Sequence, residues 1–220
     1  MRPRPQLFVF LFLLLLMAQL NGSGQIFEGL TKSLKEKPKF FLTLASFNTF
    51  IDHDFASFNG LKMGVTYDKK VRFGLGYFTL ANNGVVTTID VNEVNSSYTT
   101  NGQLEVFFFN FSAEYIFFNR LPWQFSAVPF NLALGSAHYE YISRTESKRV
   151  KGPAEFLMLY QPEVTAQYNV IKWFGFGVST GYRFAVIRSK KQTKKLDGFN
   201  FSIDFRLSID ELYYEIVSSK

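Results

Sequence analysis

The sequence predicts an all-β fold, an eight-stranded antiparallel up-and-down barrel that crosses a membrane with its strands. Three observations point there. From Phe40 onward the hydrophobic period is two. Glycine is repeated on the face opposite the bulky apolar residues. Short and long connections between the apolar segments alternate.

The period is clearest in the last segments. Phe199, Phe201, Ile203, Phe205, Leu207 and Ile209 share one face, and Asn200, Ser202, Asp204, Arg206 and Ser208 the other. Phe174, Phe176, Val178, Thr180, Tyr182, Phe184 and Val186 alternate with Gly175, Gly177, Ser179, Gly181, Arg183 and Ala185. Leu61, Met63, Val65 and Tyr67, and then Val71, Phe73, Leu75 and Tyr77, repeat the pattern against Gly60, Gly64, Gly74 and Gly76. A narrow barrel has little internal space, so small residues must leave room for long ones. A soluble lipocalin-like barrel would place its Phe inside and has no use for a glycine-rich face carrying isolated charges.

Eight segments follow, near 40–51, 57–68, 71–81, 103–118, 123–142, 155–169, 173–188 and 198–211. Connections at 68–70, 119–122 and 170–172 are short, and those at 82–102, 143–154 and 189–197 are longer. Val128, Phe130, Leu132 and Leu134 are expected on the outward face of the fifth segment. Several segments exceed the roughly 9–11 residues a tilted strand needs to cross a bilayer, so strands should project beyond it.

Composition agrees. The chain holds 27 Phe and only 19% charged residues, with a formal charge of +6. Lipid can take outward-facing Phe that a soluble core of this size would struggle to bury. Cysteine is absent, which excludes disulfides, thiolate chemistry and a lipidated N-terminal cysteine. Residues 1–24 read as a signal peptide: Arg2 and Arg4, the apolar run Leu7 to Met17, then Gly22 and Gly24 at the small positions before cleavage. Residues 25–39 form a leader, where Ile26, Leu30 and Leu34 suit a short helix ending at Pro38, or a frayed segment. Residues 40–220 are the barrel and a short tail.

In signal, strand number and loop rhythm, residues 39–209 resemble the small eight-stranded outer-membrane barrels of the OmpA/OmpX type. The resemblance implies a place in the outer membrane, contact with its lipid and lipopolysaccharide, and passage through the barrel-assembly machinery. It also implies a last strand ending the chain on an aromatic residue, whereas this chain runs on to Ser218, Ser219 and Lys220.

The inward face should carry Lys62, Arg72, Glu114, Glu163, Arg183, Asp204 and Arg206. Four cations and three carboxylates nearly balance, which suits a paired plug filling a packed polar lumen better than a solute channel. Two basic clusters fall in outer connections: Arg144, Lys148, Arg149 and Lys151, and Lys190, Lys191, Lys194 and Lys195. Clustered cations suit the phosphates of lipopolysaccharide or serve as solvated rim charge. Nucleic acid is a poor partner for an exported chain without a base-stacking platform.

Catalysis has one candidate set. Ser136, His138 and Glu140 stand at i, i+2 and i+4, so all three face one way. The set is similar to that of the outer-membrane lipid A deacylases, although there His precedes Ser. The alternative is a polar collar where the strand leaves the membrane. His53 lies in a turn between Asp52 and Asp54. No metal-spaced His cluster or phosphate loop is present, so no cofactor is expected. The expected role is structural or adhesive and non-enzymatic, with a lipid A-modifying hydrolase and a small-solute channel as the alternatives.

Overall fold

Alternating side chains leave each strand with two different faces, and closing the sheet puts one inside and one outside. The computed structural model describes residues 31–51, 54–81, 85–93, 96–144, 147–187 and 196–218. Its strands are β1 (Lys39–Ile51), β2 (Asp54–Tyr67), β3 (Val71–Leu80), β4 (Val86–Glu93), β5 (Ser96–Arg120), β6 (Trp123–Ile142), β7 (Arg149–Lys151), β8 (Glu155–Tyr160), β9 (Glu163–Asn169), β10 (Phe174–Ile187) and β11 (Gly198–Ser208). The helix α1 (Ile209–Ser218) follows β11.

All eleven strands belong to one antiparallel sheet, and a ring closes through eight staves. The staves are β1, β2, β3, β5, β6, β8 with β9, β10 and β11. Closure is made by β1 against β11, from Phe41 opposite Ser208 to Thr49 opposite Asn200. Each stave therefore has a pairing neighbour on both sides, which is what a hydrocarbon environment demands.

The ladder corrects the strand plan in several places. Residues 82–102 are not simply a loop: β4 pairs with the first part of β5, Val86 opposite Gln103 to Glu93 opposite Ser96. β7 likewise extends β6 inside the connection 143–154. The segment 155–169 is one stave in two pieces, because β8 and β9 pair in turn with the same β6. Pro162 has no N–H for the ladder and stands at the break, between β8 and β9. The eighth strand ends at Ser208 rather than 211, and the chain turns into α1.

A further correction concerns Val128. It is buried inside the barrel, whereas Phe130 and Leu134 are exposed outside. The β5–β6 register slips between Ala113 opposite Phe130 and Tyr115 opposite Ala127. Proline is tolerated at such irregularities, and Pro129 stands in this one. The extra residue reverses the parity of β6 on either side of it.

The outward face is apolar over most of the ring: Leu44, Met63, Leu75, Phe109, Phe117, Phe130, Phe176, Val178, Ile203 and Phe205 are all exposed. Such a continuous apolar belt fits lipid, not water. At the short-turn end Trp123 stacks on Phe125 and meets Tyr168 edge-on. These amphipathic rings suit the height of lipid headgroups. The short turns mark the periplasmic end and the longer hairpins the outer end. β5, at 25 residues, measures roughly 80 Å along its length, far more than the ~30 Å hydrocarbon layer even when tilted.

Candidate functional site: the lumen and the outer rim

The seven charged residues of the inward face separate into three settings. Glu114 lies at the centre of the first. Its Oε1 receives hydrogen bonds from Arg72 (2.7 Å) and Ser126 (2.6 Å), and its Oε2 lies 3.8 Å from an Arg206 nitrogen. Arg72 opposes Glu114 directly in the β3–β5 register. Arg72 also donates to Thr66, and Arg206 to Thr43 and Gln167. Both guanidiniums lie over the Phe41 ring, at 5.2 and 5.7 Å. One carboxylate thus bridges two cations, each with further acceptors, as a buried ion pair requires.

Lys62, Glu163 and Asp204 form the second setting. They line a cavity of about 40 Å³ in mid-lumen, and Ser179 and Ser202 both donate to Asp204. Arg183 makes the third, with Glu163 and Asp197 near enough to attract it but not to bond it. It is fully buried, with its guanidinium 4.7 Å from the Phe47 ring and 5.2 Å from the Phe58 ring. Its three nitrogens meet no hydrogen-bond acceptor among the described residues.

Arg183 marks a boundary, and here the expectation of a polar lumen needs correction. Only the periplasmic half is polar. Above it Phe47, Phe58, Phe78 and Phe108 pack together with Ile51, Leu104, Leu157 and Leu159. Phe78 stacks on Phe108 at 5.4 Å, and Phe47 and Phe58 meet at 5.5 Å. Staves projecting past the bilayer face no lipid on one side and no pore on the other, so their inner face can form an ordinary apolar core. Gly76 makes room for it: a Cβ there would lie 2.8 Å from the Phe78 ring and 2.5 Å from the Asn110 side-chain Oδ1.

At the outer rim, Ser136, His138 and Glu140 do share the outward face of β6. Their neighbours separate them chemically. Ser136 lies between Phe107 on β5 and Phe156 on β8. His138 faces Glu105 across the β5–β6 ladder, with Nε2 3.1 Å from its carboxylate but misaligned for a hydrogen bond. Glu140 holds Lys151 at 3.0 Å and Arg149 at 3.7 Å. The Lys151 hydrogen bond keeps the Glu140 carboxyl below the usual carboxylate range, and the same contact raises Lys151. No hydrogen bond joins Ser136 to His138 among the described residues.

Glu105, His138 and Glu140 offer three ligand atoms within 4.8 Å of one another. This grouping crosses two strands, so residue spacing along one segment could not reveal it. Lys151 lies within 4.0 Å of both carboxylates and already supplies positive charge there.

Of the basic clusters, Arg144, Lys148, Arg149 and Lys151 are exposed on the β6–β7 hairpin. Arg144 lies over the Tyr98 ring at 4.6 Å, and its backbone N–H donates to the Tyr98 hydroxyl. Lys190, Lys191, Lys194 and Lys195 lie outside the described residues, as do His53 and the signal segment 1–24. Within the leader, residues 31–33 form a helical turn, and the buried Ser33 donates to Asp68 in the β2–β3 turn.

No protein-family model matches the chain, and no curated protein matches its sequence. Solved structures do. The crystal structure of Neisserial surface protein A aligns over 79% of this chain and 99% of its own, with a TM-score of 0.56 and 13% identity. The N-terminal β-barrel domain of Pseudomonas aeruginosa OprF covers 78% of this chain and 100% of its own, at a TM-score of 0.41 and 11% identity. Ail, the attachment invasion locus protein of Yersinia pestis, covers 77% and 97%, at 0.42 and 11%. At these identities the likeness concerns fold, and the first alignment carries it. With its closed ring of eight staves, apolar outer belt and filled interior, the chain has the fold of the small eight-stranded outer-membrane β-barrels.

Proposed function

We propose that the protein is a non-enzymatic surface component of the outer membrane. Its role is structural or adhesive, exercised through an outer rim that contacts lipopolysaccharide. The observation that carries the reading is the β6–β7 hairpin, which presents Arg144, Lys148, Arg149 and Lys151 outside a lumen packed with aromatic rings. Glu140 compensates only part of that charge. Guanidinium and ammonium groups standing at the outer leaflet match the phosphates of lipid A. Residues 1–24 act as the cleaved signal, so that the mature chain begins at Gln25 and the barrel-assembly machinery inserts it.

The packed upper lumen speaks against a solute channel. The pairing of His138 with Glu105 rather than Ser136 speaks against a hydrolase. The test is binding of purified protein, refolded in phosphatidylcholine vesicles, to labelled lipopolysaccharide at low and high salt. The double variant Arg144→Glu, Lys148→Glu should bind several-fold more weakly and lose most of the salt dependence. Unchanged binding would contradict the proposal. Altered lipid A masses in cells overproducing the wild type, lost with Ser136→Ala, would replace it with the hydrolase.

A further inference from the structure

At the periplasmic end the chain carries a helix whose apolar side is exposed among the described residues. Along α1, Ile209, Leu212, Tyr213, Ile216 and Val217 fall at i, i+3, i+4, i+7 and i+8, one stripe of a helix. No residue of α1 is buried: Tyr213 is 64% exposed, Ile216 54% and Val217 53%. The polar residues Glu211, Glu215 and Ser218 lie on the other side, and Asp210 at the stripe's edge beside Val217.

The helix is held to the barrel by that polar side. Asp210 accepts the backbone N–H of Phe40, and Glu211 pairs with Lys39 at 2.5 Å. Glu211 also lines the periplasmic mouth of the barrel, together with Lys69 and Lys172. With its acidic side turned to the mouth, the helix turns its apolar stripe away from the barrel axis. In that direction lies the lipid belt. Ile209 continues the outward series Phe201, Ile203, Phe205 and Leu207 of β11, and the exposed Phe40 stands beside it on β1.

We propose that α1 lies in the interface of the periplasmic leaflet, its stripe of Ile209, Leu212, Tyr213, Ile216 and Val217 sunk among phospholipid acyl chains. The lipid-facing surface of β11 thereby continues onto the helix without a break. An amphipathic helix bound in this way lies in the plane of the interface with its apolar side buried about 5–10 Å. Tyr213 is suited to the headgroup level, with its ring in the apolar zone and its hydroxyl in the wet one. The exposed cations Lys69 and Lys172 at the adjoining mouth are within the reach of anionic headgroups of that leaflet.

The absence of cysteine makes the test direct. Single variants Ile216→Cys, Val217→Cys, Glu215→Cys and Ser218→Cys of the full chain carry a nitroxide label, with refolding into phosphatidylethanolamine–phosphatidylglycerol vesicles. Because no side chain of α1 is buried, none should impair barrel formation, which the gel mobility of unboiled protein reports. Power saturation then compares access of oxygen with access of a water-soluble nickel chelate. The expected result is that labels at 216 and 217 meet oxygen but are several-fold less accessible to nickel than labels at 215 and 218. High nickel access at all four positions would put the helix in water and overturn the proposal. Low access of both reagents at 216 and 217 would mean that protein, such as a second copy of this chain, covers the stripe, and would overturn it equally.

Discussion

Glu114 and Arg183 are both buried charges in one lumen, and they should respond to mutation in opposite ways. Glu114 neutralises Arg72 and Arg206 and accepts from Ser126. Its removal leaves two guanidiniums short of their counter-charge. Glu114→Ala should therefore cost about 3–5 kcal/mol in urea unfolding of the vesicle-inserted protein. Arg183 gains ring contacts from Phe47 and Phe58 and longer-range attraction from Glu163 and Asp197, but its nitrogens meet no hydrogen-bond acceptor among the described residues. Arg183→Met keeps most of the volume and relieves the desolvation of an ion, so stability should be unchanged or higher by about 1–4 kcal/mol. Loss of stability in Arg183→Met equal to that of Glu114→Ala would show that the charge is held by groups other than those two rings. On the outer face Ile203 is 46% exposed between Phe201 and Phe205. Ile203→Arg should cost about 2–4 kcal/mol if it lies at the bilayer midplane. A substitution as harmless there as Lys148→Glu on the rim would contradict the assignment of faces.

Among the elements, the outer hairpin of β6 and β7 adds to its backbone ladder a carboxylate that meets both cations opposite it. Glu140 joins Lys151 and Arg149 opposite it, in register with Lys151. The folded carboxyl is held below its ordinary range by the Lys151 hydrogen bond, so the pair contributes fully at neutral pH. The contribution falls away as acid protonates the folded carboxylate, below the ordinary carboxylate range. Amide exchange at 149–151, corrected for its intrinsic pH dependence, should accelerate in acid, and Lys151→Ala should abolish that pH dependence. An unchanged pH profile in Lys151→Ala would show that another group controls the hairpin.

How much of each element was legible depended on its period. The alternation of β10 and β11 specifies side-chain facing residue by residue, since one face must be apolar. The first half of β6 misled because Pro129 lies in a register slip, and a slip of one residue inverts parity without altering composition. β4 escaped notice because its Thr, Asn and Asp carry little hydrophobic signal: a hairpin above the membrane has no lipid to face. The helix after Ser208 was masked by Ile209, which completes both the strand pattern and the helical stripe. The rim contact of Glu105 with His138 depends on register between distant strands, which no local spacing encodes.

At the scale of the whole molecule, the barrel has two interiors, an ion-paired half beneath an aromatic half. The seven inward charges could be found from parity, because polar residues on a barrel strand must turn from lipid. Their division into three settings could not, since it depends on which strands are neighbours. The apolar upper plug was hidden by the same Phe excess that announced the lipid belt, because composition does not say which side of a strand a ring occupies. A lumen so filled should conduct no ions in planar bilayers. Steady single-channel conductance that persists in wild-type protein would show that the aromatic packing opens.

The central claim is that the outward apolar belt of this ring sits in outer-membrane lipid. It is tested most directly by separating the membranes of cells making the full chain and running the fractions on a gel with and without boiling. The account predicts that the protein stays with the outer-membrane fraction after a urea wash and that its unboiled form migrates differently from the boiled one. Recovery of the folded protein in the soluble periplasmic fraction, without detergent, would contradict it.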